Sequence, residues 1–477
     1  MGRSRRLVLL EPGLASAVGH HSDVNACLLP ALRRRGWQPE LWADVRAADD
    51  PALAARLPAL RPVLREAGYI DPRHWCDLPG SLHQAGLMRA QLESAASGSE
   101  PVAVWLAHSL VPFQLIALAQ LLQRQPSAQV LISLMFAPGE VFAGQPELDL
   151  QAQRQAAELN TRSALAALAL AARRGGHQLL LCAGSQQLIN RYTSFCATAG
   201  LPAPQLHPSV VGSADLIAGS WGADAAAADG RAIEGRATDA APEQVLLHWG
   251  ERKPDKGRDL ALAVLKQLLS GAPLPDVLAR THWCFHAASR QPPPSAETEL
   301  LQRARQHPRI RVLEGPLPRP AMLQELGHSR AVLLPYCPLA YAERSSGVLW
   351  LYGAARLARR LPARVVGHSG GWLAAEVPAL GLHWQPLTPS ASAAVAAGPS
   401  AAASASDAAA ASAALSALEL ALQALPGPAL VTPYGQQVLG QHWGDWLADL
   451  LDRDRADGDV ADGDRADAIR RDADNLD

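Results

Sequence analysis

The chain has 477 residues, enough for two or three domains with large cores. Its 43 Lys and Arg residues nearly balance its 45 Asp and Glu residues. The net charge of −2 argues against a nucleic-acid-binding protein, because no basic field attracts phosphate backbones.

The six cysteines are scattered without a CxxC pair, which favours reduced thiols in a cytoplasmic protein. The first apolar run ends at Glu11, too early for a signal peptide, and no run is long enough for a transmembrane segment.

Short apolar runs alternate with longer helical patterns through the first half of the chain. Leu7–Leu10 reads as a buried parallel strand, and apolar residues from Val24 to Leu32 recur at helical spacing. Further predicted strands and helices are Trp37–Ala43, Val102–Ala107, Val111–Leu122, Gln129–Met135, Gln178–Cys182 and a helix from Ser185. Strands alternating with helices in this way predict a parallel sheet covered on both faces.

The pattern dissolves at residues 223–243, a predicted linker, and then restarts. The second half contains predicted strands and helices at Val245–Trp249, Asp259–Leu269, His282–His286, Ile310–Leu313, Ala321–His328, Ala331–Pro335, Ser346–Ala358 and Arg364–Val366. The sequence therefore predicts an α/β protein with two doubly wound, Rossmann-like domains, residues 1–222 and 244–430. A central cleft between them, at the carboxyl ends of both sheets, is the expected ligand position.

Three C-terminal segments lie outside this alternation. Residues 390–412 are almost purely Ala, Ser, Gly and Pro, which predicts a flexible insertion. Residues 431–452 contain an amphipathic pattern with Trp, predicted as a closing helix. Residues 453–477 read as a disordered acidic tail rather than a calcium site, because the glycine-rich repeat spacing is missing.

In the first domain, two features could contact a ligand. The loop from Glu11 to Asp23 contains Gly13 and Gly19 and precedes a helix whose N-terminus can receive an anion; a plain turn is the alternative. The loop lacks GxGxxG, which disfavours a nicotinamide or flavin site. His108 directly follows a predicted strand and is expected to point into the cleft, unless it is a buried core histidine.

A metal site is not predicted from the sequence. His282 and His286 resemble a ligand pair, but they lie on one predicted strand. At 3.3 Å per residue they are about 13 Å apart, which is too far to share an ion.

In the second domain, two loops offer groups that bind anions. The loop after Gly250 contains Arg252, Lys253 and Lys256, and three cations at the end of a strand suit a diphosphate; a solvated charged loop is the alternative. The loop at residues 344–347 offers hydroxyl groups and backbone N–H groups at the start of a helix.

The order of motifs in this half resembles that of a known family. Gly250-x5-Lys256-Gly257 is followed by LLPY at 333–336, Y-x2-R-x-SGV at 341–348 and GGW-x3-E at 370–376. This order resembles the C-terminal half of group-1, family-4-like retaining glycosyltransferases, which have the GT-B fold. The N-terminal GHHSDVN and RRGW segments are similar to the opening of the same family.

The resemblance implies roles for particular residues. His108 would face the transferred sugar, while Arg252 or Lys253 and Lys256 would clamp the diphosphate. The positions that it assigns to donor binding are Gly19, Gly250, Lys253, Arg344, Ser345, Ser346, Gly347, Val348 and Glu376. Many members carry a Glu-x7-Glu pair whose second carboxylate holds the donor ribose. In this chain the first position is Arg344, and the second falls at Leu351 or Tyr352.

The sequence thus predicts a cytoplasmic glycosyltransferase that moves a sugar from a nucleotide-diphosphate donor to a glycan, lipid or small-molecule acceptor with retention. No cofactor or metal is expected; peripheral contact with a membrane stays open. One alternative, motivated by the absent carboxylate, is a catalytically silent glycosyltransferase-like binding or assembly protein. A sugar-nucleotide epimerase is a weaker alternative, because it needs further acid–base groups that the sequence does not provide.

Overall fold

The computed structural model of the chain describes residues 5–17, 20–65, 77–97, 100–140, 150–211, 217, 244–288, 293–338, 340–387, 403–424 and 432–453. The predicted linker 223–243, the predicted ligand Gly19, and the tail beyond residue 453 lie outside the described residues, as does the 390–402 part of the predicted insertion.

The first domain is built on seven parallel strands in the order β3-β2-β1-β4-β5-β6-β7. The strands are β1 (Arg6–Glu11), β2 (Gln38–Asp44), β3 (Leu60–Leu64), β4 (Val104–His108), β5 (Gln129–Ser133), β6 (Gln178–Ala183) and β7 (Gln205–Leu206). Its helices are α1 (His20–Arg34), α2 (Pro51–Arg56), α3 (Leu78–Ala96), α4 (Pro112–Leu122), α5 (Leu150–Gly175) and α6 (Gln186–Ala199). All six residues of β1 are buried, as a central parallel strand requires.

The second domain has six parallel strands in the order β10-β9-β8-β11-β12-β13. The strands are β8 (Gln244–His248), β9 (His282–Ala287), β10 (Ile310–Glu314), β11 (Ser329–Leu334), β12 (Arg364–His368) and β13 (His383–Leu387). The helices are α7 (Arg258–Leu268), α8 (Asp276–Arg280), α9 (Ser295–Gln306), α10 (Arg319–His328), α11 (Gly347–Ala358), α12 (Trp372–Ala379) and α13 (Ala403–Gln423). The C-terminal helix α14 covers residues 443–453.

Each sheet has one point where its strand order reverses. In the first sheet β1 and β4 are neighbours, and in the second sheet β8 and β11 are neighbours. Connections from such a pair of strands leave in opposite directions, so a crevice opens beyond their carboxyl ends. Both crevices are therefore the expected positions of ligands. The predicted α/β class with two doubly wound sheets is confirmed.

The C-terminal residues differ from their predictions. Residues 403–412, predicted as flexible, form the start of α13, whose Ala410, Ala414 and Leu418 pack against α7. The closing helix predicted at 431–452 is interrupted, because a π-turn at Gln436–Gly440 ends in an extended Gln441 before α14 begins. Helix α14 returns to the first domain, where Leu447 and Leu451 join the core beneath α1.

Among the helices that the structure describes, none combines the length and apolar character needed to cross a lipid bilayer. The five cysteines of the described residues are free thiols.

Candidate functional site

The loop after β8 is held in place by a neighbouring histidine. The backbone N–H of Gly250 donates to Nδ1 of His286 (3.3 Å), and Nε2 of His286 donates to the carbonyl of Gly315 (2.8 Å). The Trp249 ring also lies against His286, with centroids 4.5 Å apart. Burial lowers the pKa of His286, so the neutral ring can accept at one nitrogen and donate at the other. Both His282 and His286 lie on β9, as predicted.

The same loop is joined to the loop after β11 by two backbone contacts. The N–H of Cys337 donates to the carbonyl of Asp255 (2.8 Å). Gly257 has φ +64°, and a Cβ there would lie 1.9 Å from the carbonyl oxygen of Pro335. Only glycine fits this close approach. The two loops therefore form one wall at the carboxyl ends of β8 and β11.

Lys256 lies in the middle of this wall. Its Nζ would be 3.3 Å from a Cβ on Gly250, so the ammonium group sits directly beside that glycine. The ammonium group makes no ion pair or hydrogen bond with the part of the chain that the structure describes. Burial, and secondarily the charge of Lys253, lower the pKa of Lys256 to about 8, whereas the carboxylates of Asp255 and Glu251 act in the opposite direction. A partly desolvated cation that has no direct ion pair can receive an anion.

The other two predicted cations are more exposed. Lys253 lies 3.8 Å from a carboxylate oxygen of Glu251. Arg252 lies 3.8 Å from Glu297, whose carboxylate is already held by the buried Arg258. Both long side chains can swing toward an anion beside Lys256 at low cost, since exposed ion pairs contribute little stability.

The second predicted loop begins α11. Ser346 caps this helix: its Oγ accepts the N–H of Leu349 (3.3 Å), and its hydroxyl donates to Tyr336 (3.3 Å). The N–H groups of the first turn, including those of Gly347 and Val348, point out of the helix end, where they favour negative charge. Ser345 directly precedes the cap and is half-buried. The predicted serine-glycine residues therefore follow the loop after β11, which contacts the Lys256 loop at the same crevice.

Arg344 connects the two domains. Its Nε donates to Glu140 of the first domain (2.7 Å), and its Nη1 donates to Asp255 of the Lys256 loop (2.6 Å). Glu140 is buried, and burial raises its pKa although Arg344 acts in the opposite direction. A cavity of about 100 Å³ lies beside this bridge and is lined from both domains. Arg344 therefore lies in the wall of a small cavity between the two domains.

Glu376, a predicted donor ligand, is bonded within the protein. Its carboxyl group accepts from the hydroxyl of Tyr434 (2.9 Å) and from Nε1 of Trp350 (3.3 Å), and the residue is 1% exposed. Burial raises its pKa to about 7. The same Tyr434 hydroxyl accepts the N–H of Gln186 from the first domain (3.2 Å). In this arrangement Glu376 holds the domain contact and does not present an oxygen to a donor.

The two positions at which the second Glu of the family could fall are occupied by buried side chains that pack in the core. Leu351 and Tyr352 are both buried on α11. The Tyr352 hydroxyl donates to the carbonyl of Arg330 (3.1 Å), beneath the sheet edge. Neither side chain can replace a carboxylate that accepts two ribose hydroxyl groups.

The crevice of the first domain contains a carboxylate between two histidines. Glu11, the last residue of β1, accepts from Nδ1 of His21 (2.7 Å) and from Nδ1 of His108 (2.6 Å). The positive ends of these two rings hold the pKa of Glu11 well below its usual range, against the effect of burial. Trp443 of α14 covers the His108 ring, with centroids 5.6 Å apart. His108 therefore lies at the predicted strand end but is 3% exposed, so a sugar reaches it only if a neighbour moves.

Sequence reasoning missed the partners of these residues. No role was assigned to the Glu11 side chain from the sequence, although Glu11 begins the predicted ligand loop and a carboxylate at a buried strand end is itself a signal. Glu140 and Asp255 carry no local signal, because each acquires its meaning from Arg344 across the cleft. Tyr434 likewise lies 58 residues from Glu376, its partner.

Comparison with known proteins supports the fold. The chain aligns over 94% of its length with 99% of an α,α-trehalose-phosphate synthase (UDP-forming) from Burkholderia xenovorans in complex with glucose-6-phosphate, at 13% identity and a TM-score of 0.53. It aligns over 97% of its length with 100% of the α,α-trehalose 6-phosphate synthase from Burkholderia multivorans, at 12% identity and a TM-score of 0.52. No protein-family model and no curated protein matches the chain. The architecture is therefore that of GT-B glycosyltransferases, and identities this low extend the likeness to the fold alone.

Proposed function

We propose that the chain is a glycosyltransferase that holds a nucleotide-diphosphate sugar against the wall formed by the loops after β8 and β11. The observation that carries this proposal is Lys256: a half-buried lysine whose ammonium group makes no ion pair within the described residues and lies beside Gly250 at the strand-order reversal. The diphosphate would supply a direct ion-pair partner. The order of motifs predicted from the sequence supports the same donor class.

The reaction separates a sugar from a diphosphate whose negative charge grows as the bond breaks. Lys256, with Arg252 and Lys253 moving in from the rim, stabilises that charge. The N-terminus of α11, capped by Ser346, adds a second positive feature to the same wall. Catalysis then rests on leaving-group stabilisation and on the orientation of the two sugars, without a requirement for a metal ion in the transfer step.

The acceptor belongs to the first-domain side of the cleft, and retention of the anomeric configuration follows the group-1 resemblance. A glycan, a lipid or a small molecule remains the acceptor class. Because the Burkholderia xenovorans synthase was solved with glucose-6-phosphate, small sugar phosphates are the first acceptors to test. Cytoplasmic placement is part of the same proposal and rests on the scattered cysteines.

Arg344 takes part in donor binding only by exchanging a carboxylate partner for a phosphate. Its guanidinium group is shared between Glu140 and Asp255, and a diphosphate beside Lys256 would compete with Asp255 for it. His108 can face the transferred sugar if Trp443 moves aside. Glu376 is left out of the donor site, because both of its oxygens accept from Tyr434.

A catalytically silent binding protein is the second candidate, and one observation favours it. Tyr352 and Leu351 leave no carboxylate on α11 for the donor ribose. Such a protein would still bind a nucleotide sugar at Lys256 but would not turn it over.

One experiment separates these candidates. The purified chain is incubated with a panel of UDP-, GDP-, ADP- and TDP-sugars, with and without sugar-phosphate acceptors, and both binding and release of nucleoside diphosphate are measured. Release supports the transferase, and its product anomer tests retention. Binding without release, across all acceptors, indicates the silent protein. If no donor binds and no nucleoside diphosphate is released, both candidate functions are contradicted.

A further inference from the structure

The Glu11, His21 and His108 side chains meet from three different elements of the first domain. Glu11 ends β1, His108 ends β4, and His21 lies in the first turn of α1. One potential ligand atom from each lies within 4.8 Å of the other two, and all three residues are buried. The cluster occupies the strand-order reversal of the first sheet, the position in such sheets where ligands bind.

We propose that Glu11, His21 and His108 form a binding site for one divalent transition-metal ion of the zinc class. Two imidazoles and one carboxylate are a donor set that Zn²⁺ uses in proteins, and imidazole also suits Co²⁺ and Ni²⁺. Mg²⁺ and Ca²⁺ prefer oxygen-only sites and are not expected here. The site is independent of the proposed donor loop, which lies in the other domain.

The ligand directions agree with this assignment. Both histidines face the carboxylate through Nδ1, at 2.7 and 2.6 Å. An ion bound at about 2.0–2.2 Å from each ligand needs ligand atoms about 3.3–3.6 Å apart. Because His21 contacts Oε1 and His108 contacts Oε2, each nitrogen would move about 0.7 Å away from its own oxygen, and both rings would turn toward one ion. The ion would then replace the protons that now bridge the nitrogen and oxygen atoms.

Groups outside the three ligands already orient them. The Asn25 side chain donates to Glu11 (3.0 Å) and to the backbone carbonyl of His21 (2.8 Å), so it ties two ligands together. The Trp443 ring covers His108 from the side of α14. Such hydrogen bonds and apolar cover typically hold metal ligands in position.

The electrostatics of the cluster favour a cation. The Glu11 carboxyl group is buried between the two imidazole rings. A buried carboxylate is stable only beside a positive charge, which is either a histidinium or a metal ion. A metal ion would supply that charge. It would also join β1, α1 and β4 at the floor of the first-domain crevice.

The test uses the full chain, freed of metal by a chelator and titrated with Co²⁺, followed by Zn²⁺ competition. Co²⁺ in a site with imidazole ligands gives visible absorption bands that the hydrated ion lacks. We expect one Co²⁺ per chain, its displacement by Zn²⁺, and a rise in unfolding temperature with either ion. Glu11→Gln and His21→Asn should lower the affinity at least about 10-fold. His282→Asn, a histidine on β9 of the other domain, is the matched control and should bind like the wild type.

Two results overturn the proposal: no Co²⁺ bands in the wild type, or equal binding by the wild type and both site variants, which marks adventitious surface sites. The cluster is then a hydrogen-bonded His–Glu–His triad only. If the site variants do not fold, X-ray absorption of the Zn²⁺-loaded wild type decides. Two imidazole ligands support the site, and a shell without imidazole contradicts it.

Discussion

The pKa of Lys256 decides whether this side chain can bind an anion. Burial lowers the pKa of the ammonium group to about 8, yet an anionic ligand requires the protonated form. The side chain is therefore charged at pH 7 and becomes neutral within the range that a binding experiment can reach.

This balance predicts an alkaline loss of binding. The affinity for a nucleoside diphosphate should be nearly constant up to pH 7 and then fall as the pH rises through about 8, because Lys256 releases its proton. Titration calorimetry between about pH 7 and 10 measures this. The control is Lys256→Arg, whose guanidinium stays charged throughout and should give a flat profile. Equal profiles for both proteins would mean that Lys256 does not touch the diphosphate.

Among single residues, the sequence predicted candidate groups that lie within one loop, but it missed hydrogen-bonded pairs of residues that are distant in sequence. Lys256, Gly250 and Ser346 were predicted from neighbouring residues, since a strand, a short loop and a helix start follow one another locally. The family resemblance assigned Glu376 to the donor, whereas its hydrogen-bond partner in the structure is Tyr434, which is distant in sequence. Long-range pairing has no local signature.

Among the elements, the joint between the loops after β8 and β11 depends on one backbone position. Gly257 combines φ +64° with a carbonyl oxygen 1.9 Å from where a Cβ would stand. Gly271 also has positive φ (+76°), but nothing lies within 4 Å of its Cβ position. A comparison of Gly257 with Gly271 therefore separates the cost of a left-handed backbone from the cost of a steric clash.

Substituting each glycine with alanine tests the joint. Both variants carry the cost of a left-handed conformation, about 1–2 kcal/mol. Gly257→Ala must also push Pro335 away and should lose a further 1–3 kcal/mol or so of unfolding free energy. Urea denaturation measures the difference, and diphosphate affinity should fall only in Gly257→Ala. Equal losses of stability in the two variants would show that the loops are not tightly joined.

The strands were easier to predict than the helices. Continuous apolar runs such as Val245–Trp249 mark strands buried on both faces, and most were located within a residue or two. Helix α13 was misread because runs of Ala and Ser are shared by linkers and by helices with a small-residue face. Its packing against α7, which distinguishes the two, is a tertiary feature.

For the molecule as a whole, the Glu140–Arg344–Asp255 bridge is a buried ion-pair contact between the two domains. Glu140 is buried in the first domain, while Arg344 and Asp255 belong to the second. A second interdomain pair, Arg191–Glu343 (3.0 Å), is more exposed. Buried pairs are costly to break, whereas exposed pairs contribute little.

Replacing Glu140 or Glu343 with glutamine tests how much each interdomain ion pair contributes to the contact between the domains. Glu140→Gln removes the interdomain charge pair and should open the cleft, seen as a larger radius of gyration in X-ray scattering. Glu343→Gln is the matched control and should leave the scattering curve unchanged, because its side chain is 40% exposed. An unchanged radius in Glu140→Gln would mean that other contacts hold the domains together.

The most direct measurement is the affinity of Lys256→Ala for a nucleoside diphosphate. Calorimetric titration compares the wild type, Lys256→Ala and Lys266→Ala; Lys266 is exposed on α7, outside the loop. Loss of a charge-assisted bond worth about 1.5–3 kcal/mol predicts a 10- to 100-fold weaker affinity in Lys256→Ala alone, with folding intact. Wild-type affinity in Lys256→Ala would contradict the diphosphate site and, with it, the proposed transfer of a sugar from a nucleotide donor.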